Sequence, residues 1–260
     1  MIKVIKIGGN IIDDEVKLDR FLKDFVKLDG PKILIHGGGK IATEISASMG
    51  IEAKMIEGKR VTDADTLRIV TMVYAGLINK NIVAKLQSLN ANAIGLTGAD
   101  ANIIPALKRQ DEKIDWGFVG DVNTKDIKSE HLQLFLNHHL IPVFCAITHD
   151  HRGNLLNTNA DTIASSLAGS LAATGNKVSL VYCFEKKGVM LDINDENSVI
   201  KKITPDYYTE LKAKDIVNKG MIPKLDNAFR SLNEGVAEVK ICMAEDLHDF
   251  ENAGTTILRH

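Results

Sequence analysis

Apolar positions along the chain alternate between two patterns. Ile2 to Ile7 is a short apolar run interrupted by Lys3 and Lys6 and broken by Gly8-Gly9, which predicts a buried strand. Leu18, Phe21, Leu22, Phe25 and Leu28 then recur at helical spacing, with Gly30-Pro31 as the stop signal. The exchange repeats: a strand over 32–36 runs into three glycines, and a helix follows through Ile41, Ile45 and Met49 to Gly50. A long helical stretch from about 63 to 89 has Gly76 as its one breaker. Strands are predicted at 92–96, 141–147, 178–184 and 236–243, and helices near 161–173, after Thr204-Pro205, and over 223–233. In the last of these, Leu225, Ala228, Phe229 and Leu232 share one face. Residues 97–121, with Trp116 among Gly and Asp, predict one or two β-hairpins, and His151-Arg152-Gly153-Asn154 another. The alternation is that of an α/β protein, and short connections between parallel strands favour one continuous sheet with a functional division near residue 160.

Composition narrows the picture. The 260 residues carry 32 Lys plus Arg against 34 Asp plus Glu, a net charge of −2, so no basic excess points to nucleic acid or a lipid surface. The apolar run 140–147, interrupted by Pro142, is far shorter than the roughly 18 residues that span a bilayer. The first residues reach Gly8 too soon for a signal peptide. Cys145, Cys183 and Cys242 stand singly in apolar stretches, as reduced thiols of a cytoplasmic chain would.

Two strand ends run into glycines, at 5–10 (IKIGGN) and 34–40 (LIHGGGK). Each alone reads equally as a tight turn. Two within forty residues, one preceded by Lys6, favour backbone amides offered to phosphate or carboxylate. Neither is a Walker A loop, because Ile41 follows Lys40 and Leu34 stands where the first glycine belongs. Gly37, Gly39 and Ala42 satisfy a relaxed dinucleotide pattern with Glu57 eighteen residues on, which keeps an NAD(P)-dependent oxidoreductase open. In 156–161 (LNTNAD), Asp161 reads as a helix N-cap, and Asn157 and Asn159 alternate so that their amides face one side. Lys224 falls in the first turn of a helix, opposing its dipole, as a residue facing a bound anion would. His149 and His151 around Asp150 fit a polar turn better than a metal site, and His138-His139 a solvated helix end.

Together these segments resemble the amino acid kinase family, in its acylglutamate branch, over essentially the whole chain. The resemblance rests on KIGG (6–9), HGGGK (36–40), GKRVTD (58–63), IGLTGADANII (94–104), GFVGDV (117–122), LNTNAD (156–161), GMIPK (220–224) and GTTI (254–257), in that order. It implies a single domain with a three-layer α/β/α sandwich and a mainly parallel central sheet. Residues 1–160 would bind the acylglutamate and 161–260 the nucleotide. The implied reaction is transfer from ATP, with Mg²⁺, to the γ-carboxylate of an N-acyl-L-glutamate in arginine biosynthesis, N-acetyl by default and N-succinyl as the alternative. By the same resemblance Lys6 and Lys224 contact the transferring phosphoryl group and Asp161 holds both lysines. Gly8, Gly9, Gly37 and Gly38 offer amides to phosphate and carboxylate, Arg60 and Asn157 bind the α-carboxylate, and no residue ligates a metal. Physical chemistry agrees: a guanidinium grips a carboxylate with two parallel bonds, and a carboxylate nucleophile needs no general base.

One segment departs from the family pattern. An Asp-containing turn usually follows the strand at 179–184; here Phe184 takes the place of the acid, followed by Glu185-Lys186-Lys187. Either Glu185 substitutes one position later or the nucleotide contacts are remodelled. A non-catalytic sensor of acylglutamate or nucleotide therefore stands beside the kinase reading, with Lys6, Asp161 and Lys224 favouring catalysis. The expected assembly is a homodimer through the long helix. Arginine inhibition is not expected, since the first strand begins at Ile2 and leaves no room for the N-terminal helix of arginine-inhibited members.

Overall fold

A computed structural model describes residues 1–56, 58–192, 194–217 and 221–260. Its strands are β1 (Ile2–Ile7), β2 (Lys32–His36), β3 (Met55–Ile56), β4 (Lys59–Arg60), β5 (Ala93–Leu96), β6 (Ala106–Lys108), β7 (Gly120–Val122), β8 (Ile141–Cys145), β9 (Ile147–His149), β10 (Leu155–Asn157), β11 (Val178–Phe184), β12 (Lys202–Ile203), β13 (Glu238–Met243) and β14 (Thr255–Ile257). Its helices are α1 (Gly9–Ile12), α2 (Glu15–Lys27), α3 (Gly39–Ser48), α4 (Ala64–Thr71), α5 (Asn79–Ser88), α6 (Ser129–Asn137), α7 (Ala160–Ala173), α8 (Pro205–Ala213) and α9 (Ile222–Asn233), with a π-helical stretch, Met72–Ile78, joining α4 to α5.

Eight strands form one sheet in the order β12-β14-β13-β11-β1-β2-β8-β5. All neighbours are parallel except β13 and β14. The sheet centre is buried from both sides: Val4, Ile5, Leu34, Ile35, Leu180 and Val181 have no exposed surface. Runs so uniformly apolar are what helices on both faces of a parallel sheet require. Because β1, β2, β8 and β11 run the same way, their C-terminal ends meet at one edge, the place where open α/β sheets present backbone groups to ligands.

Helix α2 shows how the chain builds these layers. Asp14 caps its N-terminus by accepting from the amides of Val16 and Lys17, and Leu18, Phe21, Leu22 and Phe25 form its buried face. Its end differs from expectation. The helix stops at Lys27, before Gly30, and Leu28 is already extended. The carbonyls of Phe25, Val26 and Leu28 accept from the Lys32 ammonium, brought across by the neighbouring strand β2. A lysine from another element thus does what a C-terminal glycine was expected to do.

The run 141–147 is not one strand, because β8 leaves the sheet after Cys145 and Ile147 starts the β9–β10 hairpin. A second hairpin, β6–β7, lies where 97–121 predicts one and ends one residue later, at Val122. The 25-residue run Ala64–Ser88 is long and apolar enough by composition to cross a membrane. Ile69, Val70, Tyr74, Ile82 and Leu86 are nevertheless buried in the core, as in a core helix.

Candidate active site

Two clefts open where the strands end. One, of about 330 Å³, lies between Gly8, Gly9, Phe184, Glu185, Gly188 and Lys224. The other, of about 510 Å³, is walled by Gly37, Gly38, Arg60, Tyr74, Asn157 and Asp161, and by Arg109 and Arg230. Lys6 stands between them: its Nζ is 2.7 Å from Asp161 Oδ1, and a Cβ added to Gly8 would lie 4.0 Å from that nitrogen. With its side chain only 12% exposed, Lys6 has an ion pair shielded from bulk water.

The first cleft rests on the turn from β1 into α1. Gly8 is the N-cap of α1 with no side chain of its own to cap the helix. The second rests on β2, whose C-terminal His36 is wholly buried. Its Nδ1 donates to the Gly37 carbonyl at 2.8 Å, while Nε2 accepts from the Asn79 amide at 3.0 Å. Burial pushes His36 down to about 4, so it is neutral at working pH and serves as a brace. Gly38 follows at φ +148°, where an added Cβ would come within 2.2 Å of Ile78 Cδ1 and 3.2 Å of Tyr74 Cδ1. The conformation strains any side chain here, and the space admits one only if Ile78 and Tyr74 give way.

Arg60, on β4, donates through Nη2 to the Gly39 carbonyl (2.9 Å) and Thr43 Oγ1 (2.7 Å). Its Nη1 is buried and has no hydrogen-bond partner among the described residues. Asn157 Nδ2 donates to Thr62 Oγ1 at 3.0 Å.

Asp161 is not the N-cap of α7. That position belongs to Asn159, whose Oδ1 accepts from the amides of Asp161 (2.7 Å) and Thr162 (3.2 Å). Asn159 is therefore committed to capping rather than presented beside Asn157. Asp161 sits in the first turn, where the dipole favours its charge, and its carboxylate is left for Lys6. Lys224 occupies the first turn of α9 as expected. Among the described residues, however, Asp161 is ion-paired with Lys6 alone; Lys224 Nζ lies 3.8 Å from the centre of the Phe184 ring. Burial lowers the Lys224 pKa, with Lys6 acting in the same sense and Asp161 and Glu185 against.

Sequence reasoning missed Tyr74, Arg109, Asn227 and Arg230, which also wall the second cleft. Tyr74 reaches it from the π-helical stretch, which periodicity treated as plain helix. Arg109 is held by Asp121 across the β6–β7 hairpin, Nη2 to Oδ1 at 2.5 Å. Glu57 and Gly220 lie outside the described residues. His149 Nε2 donates to Asn102 Oδ1 at 3.0 Å in its turn, and no cluster of three His, Cys, Asp or Glu suited to a metal occurs among the described residues.

The sequence profile of the amino acid kinase family matches residues 1–243. A protein of Cytophaga hutchinsonii named acetylglutamate kinase is 57% identical over 98% of this chain and 96% of its own length. One of the same name from Bacteroides thetaiotaomicron is 51% identical over 98% of this chain and 97% of its own. Among solved structures, N-acetylglutamate synthase of Neisseria gonorrhoeae, complexed with coenzyme A and N-acetylglutamate, superposes with a TM-score of 0.82 at 20% identity. It covers all of this chain and 59% of the synthase, a likeness of fold. The clefts at the strand ends, the paired Lys6 and Asp161 between them and these matches agree: the chain belongs to the amino acid kinase family, in its acetylglutamate kinase branch.

Proposed function

We propose that the protein transfers the γ-phosphoryl group of ATP to the γ-carboxylate of N-acetyl-L-glutamate, a step of arginine biosynthesis carried out in the cytoplasm. The observation that carries this is Arg60, whose buried Nη1 has no hydrogen-bond partner among the described residues, in a cleft also walled by Asp161, the ion-pair partner of Lys6. A buried guanidinium nitrogen without an acceptor is costly unless a ligand supplies one, and a carboxylate does so best. Neither the oxidoreductase nor the sensor reading finds support among the relatives.

The chain divides its labour about residue 160. The first part holds the acylglutamate, with Arg60 and Asn157 on the α-carboxylate and the Gly37 and Gly38 amides on the reacting end. The second part holds the nucleotide, whose phosphates meet the Gly8 and Gly9 amides and Lys224. The obstacle is bringing a carboxylate against a polyanion, and Lys6 and Lys224 offset it by placing positive charge where negative charge crowds. Mg²⁺ fits as an ion carried by the triphosphate: the site offers amides and ammonium groups to phosphate, and Mg²⁺ typically keeps its waters and substrate phosphates as ligands.

The test is hydroxylamine trapping of the acyl phosphate with ATP, Mg²⁺ and N-acetylglutamate, alongside ADP release. Turnover of NAD(P)H, or acylglutamate binding by calorimetry without ADP release, would overturn the proposal. Arg60→Gln is expected to raise the KM for acetylglutamate at least tenfold with little change in kcat, because the α-carboxylate is held alike in ground and transition states.

A second acyl group, N-succinyl, is favoured by one observation: Arg230 adds a further cation to the second cleft, beside Arg109, which Asp121 already pairs. Comparing kcat/KM for the two substrates decides between them. The homodimer is proposed on the exposed Met72 and Leu77, apolar residues in the middle of the 64–88 helical run. Light scattering is expected to give twice the mass of the chain.

A further inference from the structure

We propose that Phe184 is a positioning residue for phosphoryl transfer: its ring face seats the Lys224 ammonium while leaving that ammonium's N–H donors free for phosphate oxygens. The inference rests on the kinase reading above. Phe184 is the last residue of β11, at the sheet edge where the clefts open, and it lines the first of them. Lys224 Nζ lies 3.8 Å from the ring centroid and Lys6 Nζ 5.7 Å, so one aromatic ring serves cations from two different elements. The ring is itself braced. It stacks on Tyr182 with centroids 6.1 Å apart and planes 21° from parallel, and the Tyr182 hydroxyl donates to the Asp161 carbonyl at 3.4 Å. Ring, lysines and the first turn of α7 thus form one connected unit.

The chemistry of the seat matters. A carboxylate in this place would hold Lys224 by accepting its N–H bonds and would cancel its charge, both at the expense of phosphate. An aromatic face attracts the cation through its quadrupole, takes no hydrogen bond from it and leaves its charge intact. The lysine stem is flexible, with several rotamers to lose. A seat that fixes the ammonium before the phosphoryl group moves lowers that cost at the transition state. The charged groups around Lys224 are Asp161 from α7, Lys6 from β1 and Glu185 just after β11. Burial and Lys6 disfavour its charged form, while the two acids and the ring favour it.

Phe184→Leu keeps an apolar side chain and removes the π face; Phe184→Tyr keeps the face. Phe184→Leu is expected to lower kcat roughly three- to thirty-fold, the size of a partly desolvated cation–π contact. The KM for acetylglutamate should hold, and the alkaline limb of kcat should move to lower pH. Phe184→Tyr should restore both. In the ligand-free protein, the ε-methylene protons of Lys224, assigned with Lys224→Arg, should show a ring-current upfield shift that persists in Phe184→Tyr and vanishes in Phe184→Leu. Should Phe184→Leu fail to fold, Phe184→Met makes the same comparison. Unchanged kcat and pH limb in a folded Phe184→Leu, or equal losses in the leucine and tyrosine variants, would overturn the proposal while the wild type remains an active kinase. A wild type that forms no acyl phosphate would overturn the functional reading with it.

Discussion

Lys224→Ala is expected to lower kcat by about 10²–10³, the typical cost of removing one charged or hydrogen-bonding group aimed at a developing transition-state charge. Either KM should change far less, because the phosphates of bound ATP are also held by the amides after β1. The geometry explains why substitution by a neutral group is so damaging: the ammonium sits in a partly buried cleft, where water would replace it poorly. The same burial sets the pH dependence. The attacking carboxylate has a reference pKa near 4.3 and needs no base, so kcat should be flat from about pH 6 upward. The plateau should end below the ordinary lysine value of about 10.4, since burial and Lys6 lower the Lys224 pKa and its charge is lost as pH rises through that lowered value. A rate rising tenfold per pH unit between 6 and 9 would require a titrating base and would remove the lysine mechanism. His36 could not be that base, being neutral throughout and committed to the Gly37 carbonyl and the Asn79 amide.

Asp161→Asn is the second large effect, about ten- to a hundredfold in kcat. It deletes the charged acceptor 2.7 Å from Lys6 and leaves a largely buried ammonium without its counter-charge. Double-mutant cycles should separate the two lysines. Asp161→Asn combined with Lys6→Ala should be markedly less than additive, since both remove one ion pair. Combined with Lys224→Ala it should lie closer to additivity, because Lys224 is seated on Phe184 and feels Asp161 through space rather than in an ion pair. Equal coupling in both cycles would restore the arrangement in which one carboxylate clamps both lysines.

Most of what positions this site is local and therefore legible in the sequence. Strand, glycine and helix follow within a few residues at β1–α1 and β2–α3, and such turns announce themselves by composition. Lys224 was placed in the first turn of α9 by a proline and an apolar face. What escaped depends on distant partners or very short elements. Asp161 and Asn159, two residues earlier, are both good caps by type, and only the backbone gives the cap of α7 to Asn159. The end of α2 is closed by Lys32 from a different strand, which no local rule anticipates. Strands β3, β4 and β12 have two residues each, too short for periodicity to show. Phe184 was visible as a departure from the family pattern, but its contact with Lys224 exists only because β11 ends beside α9.

The π-helical stretch Met72–Ile78 sets a rotational phase. Each residue of an α-helix turns the chain by about 100°, so wider turns in mid-helix offset everything beyond them from everything before. Within the stretch, Tyr74 lies against Gly38; just beyond it, α5 opens with Asn79, which reaches His36 and the Val143 carbonyl. The two side chains brace opposite ends of the same glycine turn, and an uninterrupted α-helix could not present both at this angle. If these same residues closed into plain α-helix, the helix would stay intact to a measure of helicity. Its two halves would nonetheless turn out of step by one residue's rotation, roughly 100°, and the second cleft would lose its shape with no residue of its own replaced.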